Sequence, residues 1–111
     1  MGQRDRPVGL EFYHTLDSLS SQLTDKVEYR LLLGHAYRAV GRLDEAMAQY
    51  NEITWLDPSY ATAYSRRARI YQTQGRLAEA VGEYQMAVQL RPDSLFYHAR
   101  LADTYWQGGA F

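Results

Sequence analysis

The sequence contains no cysteine. That absence excludes a disulfide scaffold, a thiolate metal site and a cysteine nucleophile, and leaves the compartment open. It also lacks an excess of charge of either sign. Twelve basic residues face thirteen acidic ones for a net charge of −1, so bulk electrostatics make no case for nucleic acid or an anionic membrane as partner. Only one of the twelve, Lys26, is a lysine. No apolar run is long enough to span a bilayer. The opening Met-Gly-Gln-Arg-Asp-Arg-Pro has no apolar core of a signal peptide, and Arg6 stands where a myristoylation motif needs Ser or Thr. β-branched residues are scarce and do not alternate with polar ones, so no strand is expected. The expectation is a soluble, cytoplasmic, all-α chain, too short at 111 residues for two domains.

What the sequence does have is a repeated phrase. Residues 37–58 carry Tyr37, Gly41-Arg42-Leu43, Glu45-Ala46, Tyr50, Leu56 and Pro58. Thirty-four residues later come Tyr71, Gly75-Arg76-Leu77, Glu79-Ala80, Tyr84, Leu90 and Pro92. A fixed period of this length signals stacked supersecondary units that bury a continuous core together. Apolar residues at steps of three and four predict a helix over 9–23, through Leu10, Phe12, Tyr13, Leu16, Leu19 and Leu23. Thr24 or Asp25 can cap the next helix, over 26–40. Helices over 43–56, 60–74 and 77–90 follow, and Asp93 or Ser94 caps a sixth that ends at Gly108-Gly109. Gly41 and Gly75 stop helices because glycine takes a left-handed C′ conformation without a Cβ penalty. Proline stops the others, since the residue before it is pushed from the helical region. Small residues (Gly34, Ala68, Ala102, Ala46, Ala80) mark close helix approaches, and Tyr37, Tyr71, Tyr105, Tyr50 and Tyr84 fill the space left.

These residues resemble the tetratricopeptide repeat (TPR), a 34-residue helix-turn-helix with Trp, Leu-Gly, Tyr, Ala, Phe, Ala and Pro at set spacings. One unit matches with Leu33-Gly34, Tyr37, Gly41, Ala46, Tyr50 and Pro58. The next matches with Tyr64, Ala68, Tyr71, Gly75, Ala80, Tyr84, Ala87 and Pro92, and a third with Leu101-Ala102, Tyr105 and Gly109. The resemblance implies a right-handed solenoid of antiparallel helix pairs, with about six helices. Residues 1–8 are then a disordered end and 9–111 one domain: a capping helix 9–23, repeats 27–60 and 61–94, and a half repeat 95–111. Arg30 and His98 depart from the pattern at its Trp position, and Arg67 at a Leu position. Their stems are expected to pack while their polar heads reach water.

No catalytic constellation is present. His14, His35 and His98 lie on three different helices without metal-ligand spacing. Asp44-Glu45 and Glu79/Glu83 are accounted for by helix-start charge and solvated surface. The glycines are helix stops rather than a phosphate loop. Neither enzyme activity nor a cofactor or metal is expected.

The resemblance instead implies a concave groove lined by the first helix of each unit. It assigns that groove His35, Arg38, Ser65, Arg66, Arg69, Phe96, Arg100 and Asp103. Four of these are arginines, whose forks suit carboxylates, so a protein or peptide partner of acidic character is expected. Arg66-Arg67-Ala68-Arg69 could contact phosphates of a nucleic acid, but three clustered arginines in a chain of net charge −1 make a poor footprint. Chaperone-binding members clamp a C-terminal carboxylate with Lys and Asn, and Leu31, His35 and Arg66 do not supply that set. Beyond Gly109 the third unit lacks its second helix, so Leu101, Tyr105, Trp106 and Phe111 are expected to be uncovered. A longer repeat protein, a covering partner, or self-assembly through this end would each account for that. An adaptor that binds in the groove and a scaffold that oligomerises through its ends are the two functional expectations.

Overall fold

A computed structural model describes residues 26–109. It contains five helices: α1 (Val27–Ala39), α2 (Leu43–Leu56), α3 (Ala61–Thr73), α4 (Leu77–Leu90) and α5 (Leu95–Gln107). No strand occurs among the described residues. The expected helix over 9–23, its neighbouring cap candidates Thr24 and Asp25, and Phe111 lie outside them. Helices α1 and α2 form one tight pair, α3 and α4 the next, and α2 packs on α3 as α4 packs on α5.

Each pair is closed by the same turn. Gly41 and Gly75 adopt φ of +80° and +75°. The Arg42 N–H then donates to the Tyr37 carbonyl at 2.9 Å, and the Arg76 N–H to the Tyr71 carbonyl at 2.8 Å. This bond from the third residue past the helix back to its last turn satisfies a carbonyl that would otherwise lack a partner. The arginine side chain completes the joint. Arg42 lies over the Tyr37 ring at 5.2 Å while its Nε donates to Glu45 Oε2 at 2.9 Å. Arg76 lies over Tyr71 at 4.7 Å and its Nε donates to Glu79 at 2.9 Å. The Gly-Arg-Leu phrase thus ties the end of one helix to the start of the next.

Between pairs, Asp57 Oδ1 accepts from the Ser59 N–H at 3.1 Å and from its hydroxyl at 2.7 Å. Such a side-chain turn holds the backbone where Pro58 has ended α2. At the corresponding corner the Ser94 hydroxyl caps α5 by accepting from the Tyr97 N–H at 3.3 Å. Of the two cap candidates there, Ser94 is the one used.

The core forms two clusters in series. Ala46, Tyr50, Ile53, Ala63 and Ile70 make the first, with Val27, Leu31, Tyr37, Leu43, Met47 and Tyr60 against it. Ala68, Ala80 and Tyr84 make the second, with Tyr71 and Leu101 against it. Gly34 lets α1 approach α2 closely: a Cβ there would stand 2.5 Å from the Tyr50 ring.

The polar departures from the repeat pattern all find hydrogen-bond partners within the protein: Arg67 is held inside it, Arg30 is half-buried and His98 is exposed. Arg67 donates to Asn51 Oδ1 (3.0 Å), Thr54 Oγ1 (3.2 Å) and Glu83 Oε1 (2.6 Å). Its side chain is only 14% exposed. Arg30 donates to Gln49 at 3.0 Å, and the His98 ring meets the Pro92 carbonyl at 2.8 Å. The reason is local supply. A guanidinium carries five donors in a fixed fork, and acceptors on α2 and α4 stand within its reach.

Candidate partner-binding groove

The groove is built from below by two tyrosines. Tyr50 on α2 and Tyr84 on α4 are 0% and 1% exposed. The Tyr50 ring runs past Gly34 of α1 and meets His35 edge-on, with ring centroids 6.2 Å apart. Its hydroxyl therefore ends among residues of α1 and α3, where the charges of Arg38, Arg66 and Arg69 act on it. Tyr84 repeats the arrangement one unit on, with Arg100, Arg69 and Arg66 around it. Burial raises the pKa of both phenols, and the arginines partly oppose that rise.

The two hydroxyls have different fates. Tyr84 donates to Gln72 Oε1 at 2.8 Å, and Gln72 Nε2 donates in turn to Gln107 at 2.7 Å. The Tyr50 hydroxyl is buried and makes no hydrogen bond of normal geometry among the described residues, while the Arg38 side chain is close enough to interact with it and favour its ionised form. The buried Nε atoms of Arg38 and Arg66 are also unpartnered. The ion pairs among the described residues are Arg42–Glu45, Arg67–Glu83 and Arg76–Glu79. None involves Arg38, Arg66, Arg69 or Arg100, so these four cations share this face without an ion pair among the described residues.

Two cavities flank the arginines. The larger, about 560 Å³, lies between the N-terminal parts of α3 and α5 and is lined by Ser65, Arg66 and Phe96 among others. The smaller, about 240 Å³, is lined by Arg69, Gln72, Thr73, Arg100 and Gln107. Arg100 also lies over the Phe96 ring at 5.7 Å. His35 and Arg38 stand on α1 beside Tyr50. Ser65 is buried, and its hydroxyl donates to the Thr62 carbonyl at 3.0 Å, leaving no free donor for a ligand. Asp103 is exposed and lines neither cavity.

At the other end of α5, Leu101 was expected to be uncovered but is half-buried against Ala68, Ala80 and Tyr84. It points back to α3 and α4. Tyr105 is half-buried and its hydroxyl accepts from Gln85 Nε2 at 2.9 Å. Trp106 is 75% exposed. The outward stripe of α5 is instead Leu95, Ala99, Ala102 and Trp106, all exposed and spaced at helical steps.

Tyr50, Tyr84 and Gln107 escape the sequence reading as groove residues. A signal for the tyrosines was available. They occupy the position where the repeat pattern has Phe, and a tyrosine in place of a phenylalanine adds a hydroxyl that must be housed.

His35 gives this face a pH dependence. Burial first, and then the charges of Arg66, Arg38 and Arg69, hold its imidazole below the ordinary value of 6.5. The folded state therefore binds the proton less readily than the unfolded chain does. The stability contributed is complete above about pH 6.5 and is lost as pH falls through the lowered value. Urea unfolding from pH 7.5 down to 5 is expected to show a loss of stability that His35→Gln reduces. Equal pH slopes for the two proteins would contradict the assignment.

No helix among the described residues is long and apolar enough to cross a membrane. No curated protein sequence matches the chain. Solved structures share its fold. Two structures of MamA align with a TM-score of 0.72 at 21% identity over 78% of this chain. The chain spans about half the length of those two proteins, 50% and 47%. The first TPR of Spaghetti (RPAP3), bound to the HSP90 peptide SRMEEVD, aligns at 0.69 and 24% identity, covering 78% of this chain and 68% of that one. The N-terminal domain of stress-induced protein-1 (STI-1) from C. elegans gives 0.69 and 22%, covering 78% and 74%. At the level of family, residues 34–75 match the TPR repeat and residues 61–94 the Tetratricopeptide repeat, together more than half of the 111 residues. With that period, those turns and this stacking, the chain belongs to the tetratricopeptide-repeat family.

Proposed function

We propose that this protein is a non-enzymatic, cytoplasmic interaction module that holds an acidic peptide segment in the groove between α1, α3 and α5. One observation carries the reading. Arg38, Arg66, Arg69 and Arg100 gather around two buried tyrosine hydroxyls, and none of them forms an ion pair among the described residues. Like charges held together are repulsive, and an anionic ligand relieves the repulsion while filling their donors. Phe96, 58% exposed at the rim of the larger cavity, offers an apolar anchor beside them. The fold relative RPAP3 was solved with the peptide SRMEEVD, which supports a peptide ligand as a class.

The test is the double variant Arg66→Ala/Arg69→Ala, titrated with a synthetic Glu-rich octapeptide. Affinity is expected to fall about tenfold, together with a shallower dependence on salt. Unchanged affinity and salt slope would overturn the reading.

A second reading rests on the outward stripe of α5. Ala102 is exposed, whereas Ala68 one repeat earlier is fully buried; Leu95 is 83% exposed where Ala61 is 4%. Such a stripe fits a scaffold that self-assembles through α5. The same double variant separates the two, because a scaffold keeps its assembly state when the groove arginines are lost.

A further inference from the structure

Two units of the repeat carry the same tyrosine, yet the structure treats them differently. Tyr84 has spent its hydroxyl on Gln72. Tyr50 has not spent its own. A fully buried hydroxyl without a partner is rare and costly, because its desolvation is uncompensated. Around it stand further donors in the same condition, the buried Nε atoms of Arg38 and Arg66. They arrive from different directions: Tyr50 from α2, His35 and Arg38 from α1, Arg66 and Arg69 from α3.

We propose that the Tyr50 end of the groove is a phosphoryl-binding subsite, so that the acidic peptide is read there by a phosphorylated serine or threonine. This deepens the groove reading and rests on it. Three features favour a phosphoryl group over a carboxylate. Its oxygens are tetrahedrally disposed and can accept from donors on three helices at once, whereas two coplanar carboxylate oxygens suit one guanidinium fork. Its charge approaches −2 near neutral pH, which three arginines without ion-pair partners among the described residues match better than a single negative charge. The hydroxyl supplies a neutral donor beneath the arginines, in the unit where Gly34 lets the ring pass close to α1. The arginine side chains must part to admit the ligand, which their length allows. The Tyr84 end lacks the free hydroxyl, so the proposal assigns one phosphoryl position per groove.

The experiment compares three forms of one acidic octapeptide, carrying serine, glutamate or phosphoserine at a central position. Binding is followed by calorimetry to the wild-type chain, to Tyr50→Phe and to Tyr84→Phe. The wild type is expected to bind the phosphoserine form at least tenfold more tightly than the glutamate form. Tyr50→Phe reduces that preference to about twofold or less while still binding the glutamate form. Tyr84→Phe keeps the preference, since its hydroxyl was already engaged. Arg38→Gln, on a different helix, provides a second variant and loses the preference as well. Equal binding of the glutamate and phosphoserine forms by the wild type would overturn the subsite and leave the acidic-peptide reading standing. A preference that survives Tyr50→Phe, or that Tyr84→Phe also abolishes, would overturn the assignment to Tyr50. Failure of all three peptides to bind would overturn the groove reading, and the subsite with it.

Discussion

Gly34→Ala is expected to destabilise the fold, and Gly82→Ala to stabilise it. Both glycines lie inside helices, Gly34 in α1 and Gly82 in α4. Alanine is favoured over glycine in a helix interior by about 1 kcal/mol, so propensity alone predicts a gain at each site. Space decides the sign. At Gly82 an added Cβ meets nothing within 4 Å, and the full gain of about 0.5–1 kcal/mol is expected. At Gly34 it would stand 2.5, 2.8 and 3.1 Å from three atoms of the Tyr50 ring. That ring is fully buried and packed among Ala46, Ile53, Ala63 and Ile70, so it cannot swing aside as an exposed side chain would. Overpacking a full core costs about 1–3 kcal/mol, enough to outweigh the gain in propensity. Equilibrium urea unfolding of the two variants beside the wild type reads both signs directly. A Gly34→Ala protein as stable as Gly82→Ala would show that α1 and α2 can separate freely, and that the close approach is not required.

The fold was legible because its information is periodic. Gly41 and Gly75, Ala46 and Ala80, and Pro58 and Pro92 each do one local job, and a second copy at the same spacing confirms the first. Helix ends at Gly41, Gly75, Pro58 and Pro92 follow from backbone chemistry alone, so α1 to α5 fall close to their expected bounds. The groove was legible only in outline. The stripe of Arg38, Arg66, Arg69 and Arg100 is what the family resemblance implies for the first helix of each unit, but the hydrogen bond that a given hydroxyl finds depends on atoms far apart in sequence. Tyr84 meets Gln72 across the α3–α4 hairpin, whereas Arg38 holds the equivalent place, 34 residues earlier, across the α1–α2 hairpin from Tyr50. The same holds for Arg67, which reads as a surface cation until Asn51, Thr54 and Glu83 close around it. Ser65 reads as a groove donor until its hydroxyl folds back to Thr62. Polar side chains long enough to choose among partners are the residues whose roles sequence leaves open.

That difference between the tyrosines gives the second large effect. Tyr50→Phe is expected to raise the stability of the ligand-free protein, and Tyr84→Phe to lower it. Each substitution removes one oxygen from a fully buried side chain and leaves the ring in place, so packing changes little. At Tyr84 the oxygen donates to Gln72 at 2.8 Å, and removing it forfeits a hydrogen bond worth about 1 kcal/mol. At Tyr50 the oxygen is buried and unpartnered, and removing it relieves a desolvation penalty of about 1–3 kcal/mol. The interaction with Arg38 offsets part of that gain, but no hydrogen bond of normal geometry compensates the burial of the oxygen. Denaturant midpoints at pH 7.5, where His35 is neutral, check both signs without interference from its titration. A residue that weakens the fold and improves binding is expected where function has been placed in a core. A loss of stability in Tyr50→Phe equal to that in Tyr84→Phe would mean that the Tyr50 hydroxyl is already satisfied, and would remove the distinction between the two ends of the groove.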